Sequence, residues 1–182
     1  SSSNAANLIN FLKYKNFLKI SDREKTKIGR KVGFDVPIFF NNKNCFLTGK
    51  DENILKLKKN LKLNLLIVFP NLICSTKKIY KTNKKISPNI KWNYQKMNSN
   101  KKLINFLIKE NNDLEHAAVK LYPKIKSLIN IISNQQGCYF SRITGSGSAC
   151  VGIFSNMKAA NLAKKRIKSK FPKYWCVVSK TI

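Results

Sequence analysis

Residues 137–154 read GCYFSRITGSGSACVGIF, with apolar stretches of strand length on either side of Gly145-Ser146-Gly147-Ser148. The two stretches cover 137–144 and 149–154. Glycine and serine are typical of the short turns that join paired strands. This segment therefore predicts two neighbouring strands connected by a Gly-Ser-Gly loop.

The segments around this hairpin extend the pattern to an α+β domain. Periodicity and turn residues predict, in chain order, a strand at 63–69 ended by Pro70, a helix start at 75–80, a loop at 81–100, helices at 101–109 and 113–133, and, after the hairpin, a helix at 157–170 and a strand at 174–179. An order of strand, helices, strand, strand, helix and strand is ferredoxin-like, with one enlarged helical crossover.

The first 60 residues follow a different pattern. They predict an amphipathic helix at 4–20, a second helix that starts with a capping box at Ser21–Glu24 and ends near Gly29 or Gly33, and short strands at 36–40 and 45–47 around a turn at Asn41-Asn42. Because the pattern changes after this region, we expect a domain boundary near residue 60. The predicted domains are 1–60 and 61–182.

The charge of the chain is strongly positive. It contains 36 Lys and Arg residues against 8 Asp and Glu residues, which gives a formal charge of +28. Such a charge suggests a nucleic-acid-binding protein, because Lys and Arg displace counterions from phosphates. However, only 4 of these basic residues are Arg, and 23 Asn accompany them. This composition favours scattered, solvated lysines, so we expect no specific nucleic-acid partner.

The cysteines indicate neither a zinc site nor a disulfide framework. The five of them contain no CxxC pair, and with the single His116 they fit no usual zinc spacing. Their apolar and aromatic neighbours predict buried, reduced thiols, and hence a cytoplasmic protein.

Hydrophobic residues make up 43% of the chain, which is enough for a core. No apolar run approaches the ~18 residues of a membrane-spanning helix, so we expect no membrane association. The sequence begins at Ser1, without methionine and without a signal-peptide pattern. We therefore expect it to be part of a longer chain.

With eight carboxylates, the candidates for acid–base chemistry are few. Asp35 lies in the otherwise apolar run 32–40, which predicts a buried carboxylate that is hydrogen-bonded or paired with a cation. The residues alone leave open whether Asp35 is catalytic or caps the turn before Pro37. Asp113 and Glu115 precede a long predicted helix, and we expect them to cap it and to complement its dipole.

Two segments of small residues are suited to a phosphate group. Ser1, Ser2 and Ser3 stand at a predicted helix start, where free N–H groups and hydroxyls can bind an anion. Gly145, Ser146 and Gly147 can present successive N–H groups to an anion. The alternatives are an N-cap for the serines and an ordinary turn for the glycine loop. The spacing of Tyr80 predicts only a core residue on a helix face.

In combination, five segments resemble the GHMP kinases, the superfamily of galactokinase, homoserine kinase and mevalonate kinase. The segments are Ser2-Ser3-Asn4-Ala5-Ala6, Gly33-Phe34-Asp35-Val36-Pro37, Pro70 to Tyr80, Asn112 to Glu115, and Gly145-Ser146-Gly147. In the third, Asn71 stands where glycine is usual. The resemblance implies a two-domain α+β fold, in which 1–60 is the end of the N-terminal ATP-binding domain and 61–182 is the ferredoxin-like C-terminal domain.

The resemblance implies a small-molecule kinase that phosphorylates the 2-hydroxyl of 4-diphosphocytidyl-2-C-methyl-D-erythritol in non-mevalonate isoprenoid precursor synthesis. Homoserine kinase and mevalonate kinase fit the second and third segments less well. The cofactors implied are ATP and a Mg²⁺ ion bound with the nucleotide, and no metal site of the protein's own. The implied roles are a catalytic base or orienter for Asp35, binding of the ATP phosphates for Ser1, Ser2, Ser3, Gly145, Ser146 and Gly147, and substrate binding for Thr76 and Tyr80, with Tyr80 stacked on the cytosine.

The resemblance also implies an upstream segment that carries the ATP-loop glycines, a lysine paired with the aspartate, and an aromatic-His segment for the cytosine. These 182 residues do not contain it, so we expect the chain by itself to be weakly active at best. Two alternatives remain open at this point. One is an inactive remnant of such a kinase, and the other is a basic protein that binds nucleic acid independently of ATP and with a steep salt dependence.

Overall fold

The structure is a computed structural model of the chain. It describes residues 2–40, 44–48, 53–57, 59–84 and 97–181. The chain divides into two compact units, an N-terminal unit (Ser1–Asn60) and a C-terminal unit (Leu61–Thr181). No helix in the described parts of the chain is long and apolar enough to cross a membrane.

The N-terminal unit combines helices with a small hairpin. Its elements are α1 (Ser2–Tyr14), α2 (Asp22–Val32), a 3₁₀ helix (Val36–Phe40), β1 (Cys45–Thr48) and β2 (Asn53–Lys56). The strands β1 and β2 pair antiparallel. The core of this unit contains buried Ala6 and Ile9 of α1 and buried Val36 of the 3₁₀ helix. The packing therefore places the segment after Gly33 beside the first turns of α1.

The start of α2 confirms the predicted capping box. The Ser21 hydroxyl accepts a hydrogen bond from the Glu24 N–H, and the Glu24 carboxylate accepts one from the Ser21 N–H at 2.8 Å. The predicted end of α1 is wrong, since the helix ends at Tyr14 and not near residue 20. Asn16 has φ +59°, a left-handed conformation that stops the helix and that asparagine tolerates.

The segment Val36–Phe40 is a 3₁₀ helix and not the predicted strand. Pro37 explains the difference, because its fixed φ suits the first turn of a helix and it has no N–H to donate to a sheet. Two backbone hydrogen bonds build the turn, from Val36 N to Gly33 O at 3.0 Å and from Ile38 N to Asp35 O at 3.2 Å. The turn predicted at Asn41-Asn42 lies outside the described residues.

The C-terminal unit is an α+β sandwich of one sheet with helices. Its elements are β3 (Asn64–Phe69), α3 (Thr76–Thr82), α4 (Asn100–Lys109), α5 (Glu115–Leu121), α6 (Lys124–Ser133), β4 (Cys138–Ile143), β5 (Cys150–Phe154), α7 (Met157–Lys170) and β6 (Trp175–Lys180). The four strands form an antiparallel sheet in the order β4-β5-β3-β6. This element order confirms the predicted ferredoxin-like arrangement.

One face of this sheet packs on α6 and α7. Leu66 and Val68 alternate along β3 and are fully buried, and they share a core cluster with Ile132 of α6 and Ile167 of α7. Side chains two residues apart lie on the same face of a strand, and those three or four residues apart lie on the same face of a helix. The buried residues therefore mark one face of each element. This core holds β3, β4 and β5 in place. It therefore also holds the loop that follows β3 and the loop that joins β4 to β5, which lie at the same end of the sheet.

The long helix predicted at 113–133 is wrong, because two helices occupy this region. α5 ends at Leu121 and α6 begins at Lys124, with Pro123 at the N-cap position of α6. Proline disfavours a helical conformation in the residue before it, and Tyr122 indeed has φ −135° and ψ 77°. Further upstream, α3 continues to Thr82, so the loop predicted from 81 begins later.

Candidate functional site

The glycine loop, defined as residues 144–148, connects β4 to β5 at the end of the sheet. Gly145 has φ +57° and Gly147 has φ +84°, left-handed angles that glycine adopts without strain and most other residues avoid. A Cβ on Gly145 would meet no atom within 4 Å, so the space in front of this residue is open. The Gly147 N–H donates to Thr144 O at 3.0 Å, which closes the turn and leaves that N–H engaged.

The loop before α3 lies beside the glycine loop. The hydroxyl oxygens of Thr76 and Ser146 are 2.9 Å apart, within hydrogen-bond distance. The Ser148 hydroxyl donates to the backbone carbonyl of Leu72. The structure thus brings together two of the predicted site segments, Thr76 on one side and Gly145 to Gly147 on the other.

A left-handed residue shapes the loop after β3. Asn71 follows Pro70 and has φ +56°. Asparagine is among the few residues other than glycine that adopt this conformation readily. The departure from the usual glycine at this position therefore preserves the backbone path that leads to Ser75 and Thr76.

Tyr80 lies on α3, four residues after Thr76. Its side chain is 62% exposed, so the prediction of a core residue from spacing alone is wrong. Ile79, the neighbouring residue, is fully buried and anchors the helix in the core. An exposed aromatic side chain on an anchored helix offers a face on which a planar ring can stack.

Asn112 and Glu115 contact the glycine loop and the strand that leads into it. Asn112 Nδ2 donates to Gly145 O at 2.8 Å and to Ile143 O at 3.3 Å. Glu115 Oε2 accepts from Ile143 N at 3.0 Å. The expected helix cap is wrong, because Leu114 holds the N-cap position of α5 without a capping side chain. Sequence reasoning therefore missed these contacts. The Asn112–Glu115 segment stood out in the sequence, but its partners lie about thirty residues further along the chain.

The predicted site residues of the N-terminal unit lie on two of its helical segments. Ser2 and Ser3 are half-buried in the first turn of α1, and Ser1 lies outside the described residues. Asp35 is exposed in the turn before the 3₁₀ helix, and so is its neighbour Phe34, at 71%. The expectation that the apolar run buries this carboxylate is therefore wrong, because the 3₁₀ helix turns Val36 and Pro37 inward and leaves Asp35 at the surface.

The five cysteines are free thiols, and only Cys150 is fully buried. Burial, with smaller contributions from the Glu115 charge and from Cys74, raises the pKa of the Cys150 thiol to about 12. Burial also raises the pKa of Cys138 to about 11. Both side chains are therefore protonated and unreactive at neutral pH. Within the described ranges, no group of three or more His, Cys, Asp or Glu side chains is arranged to hold a metal ion.

Known proteins match the chain in sequence and in fold. Residues 89–173 match the family described as GHMP kinases C terminal. The chain is 35% identical over 182 residues to the 4-diphosphocytidyl-2-C-methyl-D-erythritol kinase of Pelagibacter ubique (strain HTCC1062), covering 100% of this chain and 63% of that protein. It is 34% identical over 152 residues to the kinase of the same name from Wolbachia pipientis wMel, covering 82% and 52%.

The fold comparison agrees with the sequence comparison. The crystal structure of a 4-(cytidine 5'-diphospho)-2C-methyl-D-erythritol kinase matches with a TM-score of 0.74 at 21% identity, covering 97% of this chain and 63% of that one. At this identity the match establishes the fold. Residues 89–173 therefore belong to the family described as GHMP kinases C terminal, and the fold match agrees with the ferredoxin-like sheet.

Both relatives described above carry the name 4-diphosphocytidyl-2-C-methyl-D-erythritol kinase. The chain spans 63% and 52% of their lengths.

Proposed function

We propose that the chain contributes to an ATP-dependent kinase that phosphorylates the 2-hydroxyl of 4-diphosphocytidyl-2-C-methyl-D-erythritol in non-mevalonate isoprenoid precursor synthesis. The observation that carries the proposal is that a relative with this kinase name matches the chain over all of its 182 residues at 35% identity. The contact between Thr76 and Ser146 supports it, because it joins a predicted substrate residue to a predicted phosphate loop.

The glycine loop is proposed to bind the ATP phosphates. Open space in front of Gly145 leaves room for a phosphate oxygen close to the backbone, and the Ser146 hydroxyl adds a donor. Because the N–H groups of Thr144 and Gly147 are engaged in backbone hydrogen bonds, the proposed donors are the amides of Gly145, Ser146 and Ser148 and this hydroxyl. Ser1, Ser2 and Ser3 are proposed to contribute as well, because free N–H groups at a helix start favour an anion.

Thr76 and Tyr80 are proposed to bind the substrate. The exposed ring of Tyr80 is suited to stack on the cytosine, since aromatic rings favour offset-stacked arrangements. Thr76 presents its hydroxyl from the same helix, next to Ser146. Substrate binding and phosphate binding would thus meet at the end of α3 that is closest to the glycine loop.

Asp35 is proposed to accept the proton of the attacking hydroxyl, or to orient that hydroxyl. Its exposed carboxylate is accessible to a substrate, which a buried, ion-paired carboxylate would not be. Phosphoryl transfer depends mainly on positioning and charge stabilisation, and a general base adds about 10²- to 10⁴-fold. When bound, ATP supplies the phosphoryl group, and a Mg²⁺ ion carried by the nucleotide neutralises its charge.

The partners proposed are therefore ATP and this small-molecule substrate, without a specific nucleic acid. Five free thiols favour a reducing compartment, which supports a cytoplasmic location.

The test is an acceptor-dependent ATPase assay on the protein expressed from its complete gene. We expect ADP formation with 4-diphosphocytidyl-2-C-methyl-D-erythritol and none with homoserine or mevalonate, and phosphorus NMR should show the new phosphate on the 2-hydroxyl. Preference for another acceptor would overturn the substrate assignment. Absence of turnover with every acceptor would support the inactive-remnant alternative. For the 182 residues alone, we expect turnover near background.

A further inference from the structure

The side chains of Asn112 and Glu115 bind both backbone polar groups of Ile143. Glu115 Oε2 accepts from the Ile143 N–H, and Asn112 Nδ2 donates to the Ile143 carbonyl. β4 is the edge strand of the sheet that the described residues form, and the next residue, Thr144, donates its N–H to Ala149 O across the hairpin at 2.9 Å. Because successive residues of an antiparallel strand alternate in direction, the N–H and the carbonyl of Ile143 face away from β5. The two side chains therefore take the place of a further strand at the end of β4.

Asn112 extends this arrangement into the glycine loop through Gly145 O, its shortest contact at 2.8 Å. In a trans peptide unit the carbonyl and the N–H point in opposite directions. Holding the Gly145 carbonyl toward Asn112 consequently turns the N–H of Ser146 away from Asn112. The central amide of the loop thus has a fixed direction.

The Asn112 side chain is itself fixed in orientation. Its Oδ1 accepts from the Leu114 N–H at 3.0 Å, so both ends of the amide group have partners. Glu115 lies in the first turn of α5, where a carboxylate is stabilised by the helix dipole. The residues at the start of α5 thus hold the Gly145 carbonyl, while the glycine angles and the hydrogen bond from Gly147 N–H to Thr144 O shape the rest of the loop.

We propose that Asn112 and Glu115 are positioning residues that set the glycine loop in its phosphate-binding conformation. This inference rests on the proposed function for the identity of the ligand. Neither side chain is assigned a contact with ATP or with the substrate. They act through the backbone of Ile143 and Gly145.

The test variant is Asn112→Asp, which keeps the acceptor for Leu114 N and loses the amide donor to Ile143 O and Gly145 O. The matched control is Asn111→Asp, which makes the same change of charge at the exposed neighbouring position. In the protein expressed from its complete gene, we expect Asn112→Asp to shift the NMR signals of the amides of residues 144–148. Amide exchange at Leu66 and Val68 in the core should stay that of the parent.

The kinetic readout separates this role from general destabilisation. We expect Asn112→Asp to raise the KM for ATP about tenfold while kcat falls by a smaller factor, since the loop must be reordered before it binds phosphate. Glu115→Ala should accelerate amide exchange at Ile143, and Glu115→Gln should restore the parent rate, because its amide oxygen still accepts the hydrogen bond. Asn111→Asp should resemble the parent in both measurements.

Two results would overturn the inference. In the first, the loop amides of Asn112→Asp keep the NMR shifts and exchange rates of the parent. In the second, the signals of the loop amides change but the KM for ATP does not. If the parent protein does not use ATP, the proposed function fails, and the exchange data still decide whether the two side chains hold the loop.

Discussion

Thr76 and Ser146 are 70 residues apart in the sequence, and their hydroxyl oxygens lie 2.9 Å apart. The contact joins the first residue of α3 to the glycine loop. Thr76 is exposed, so this hydrogen bond contributes little to the free energy of unfolding of the C-terminal unit. Its importance lies in coupling two segments that are proposed to bind different ligands.

Replacing either hydroxyl should weaken binding and leave the fold intact. For Thr76→Val and Ser146→Ala, we expect the KM for the cytidine substrate to rise about fivefold, since one such hydrogen bond contributes about 1 kcal/mol. The double variant should cost less than the sum of the two changes, as expected for partners in contact. Thr82→Val, at the other end of α3, is the control. Additive effects would show that the two hydroxyls act independently.

The left-handed conformation of Asn71 should make a glycine variant at this position more stable than an alanine variant. Because its φ is +56°, Asn71→Ala should lower the free energy of unfolding by about 1 kcal/mol, whereas Asn71→Gly should stay close to the parent. Asn134, at φ −79°, provides the control, and Asn134→Ala should lose less. Urea denaturation of the C-terminal unit measures all three variants. A loss in Asn71→Gly as large as that in Asn71→Ala would contradict the strain argument.

The fold of the C-terminal unit could be predicted from the sequence because its signals are local. Gly145 and Gly147 between two apolar stretches predicted the hairpin, and the periodicity of 157–170 predicted α7. Pro123 carried an equally local signal for the break between α5 and α6, which the uniform apolar pattern of 113–133 obscured.

The errors at the candidate site have a different physical cause. Asp35 is exposed because a 3₁₀ helix turns its neighbours inward, and apolar neighbours in sequence do not determine which side a residue faces. The hydrogen bonds of Asn112 to Ile143 and Gly145 join positions about thirty residues apart. Such contacts depend on how β4 packs beside the start of α5, which composition and spacing do not specify.

The buried thiol of Cys150 should make the C-terminal unit sensitive to alkali. Its pKa is raised to about 12 in the folded protein, mainly by burial, against 9.0 for an unperturbed cysteine thiol. The folded state therefore binds this proton more tightly. The resulting stabilisation is complete below about pH 9 and is lost as the pH rises from 9 toward 12.

The variant Cys150→Ala isolates this effect, because lysines titrate alike in both proteins. Between pH 8 and pH 10, the parent should lose about 1.4 kcal/mol more free energy of unfolding than the variant, as calculated for one thiol. Urea denaturation at both pH values gives the difference, and the pH 8 data account for any cavity left by the substitution. An equal loss in the two proteins would mean that Cys150 ionises as readily in the folded state as in the unfolded state.

Tyr80 should affect substrate binding through its ring and not through its hydroxyl. Its side chain is 62% exposed, so Tyr80→Ala should leave the thermal midpoint nearly unchanged. The KM for the cytidine substrate should rise about tenfold, because an aromatic stacking contact contributes about 1 kcal/mol or more. Tyr80→Phe should behave like the parent, and Tyr139→Ala, at another exposed tyrosine, is the control. A change confined to the KM for ATP would refute the stacking role.

Asp35→Asn is the sharpest test of the proposed chemistry, because it removes the basic group with almost no change of shape. In the protein expressed from its complete gene, we expect kcat to fall about 10²- to 10⁴-fold, with smaller changes in both KM values, since a general base acts mainly in the transition state. The exposure of Asp35 argues that the fold will tolerate the change. Asp22→Asn is the control in the same unit, because Asp22 is exposed and paired with Lys13 at 2.8 Å. Such exposed pairs contribute little to stability. If Asp35→Asn turns over at nearly the parent rate while Tyr80→Ala still raises the substrate KM, the substrate site would stand and the base would have to be sought elsewhere.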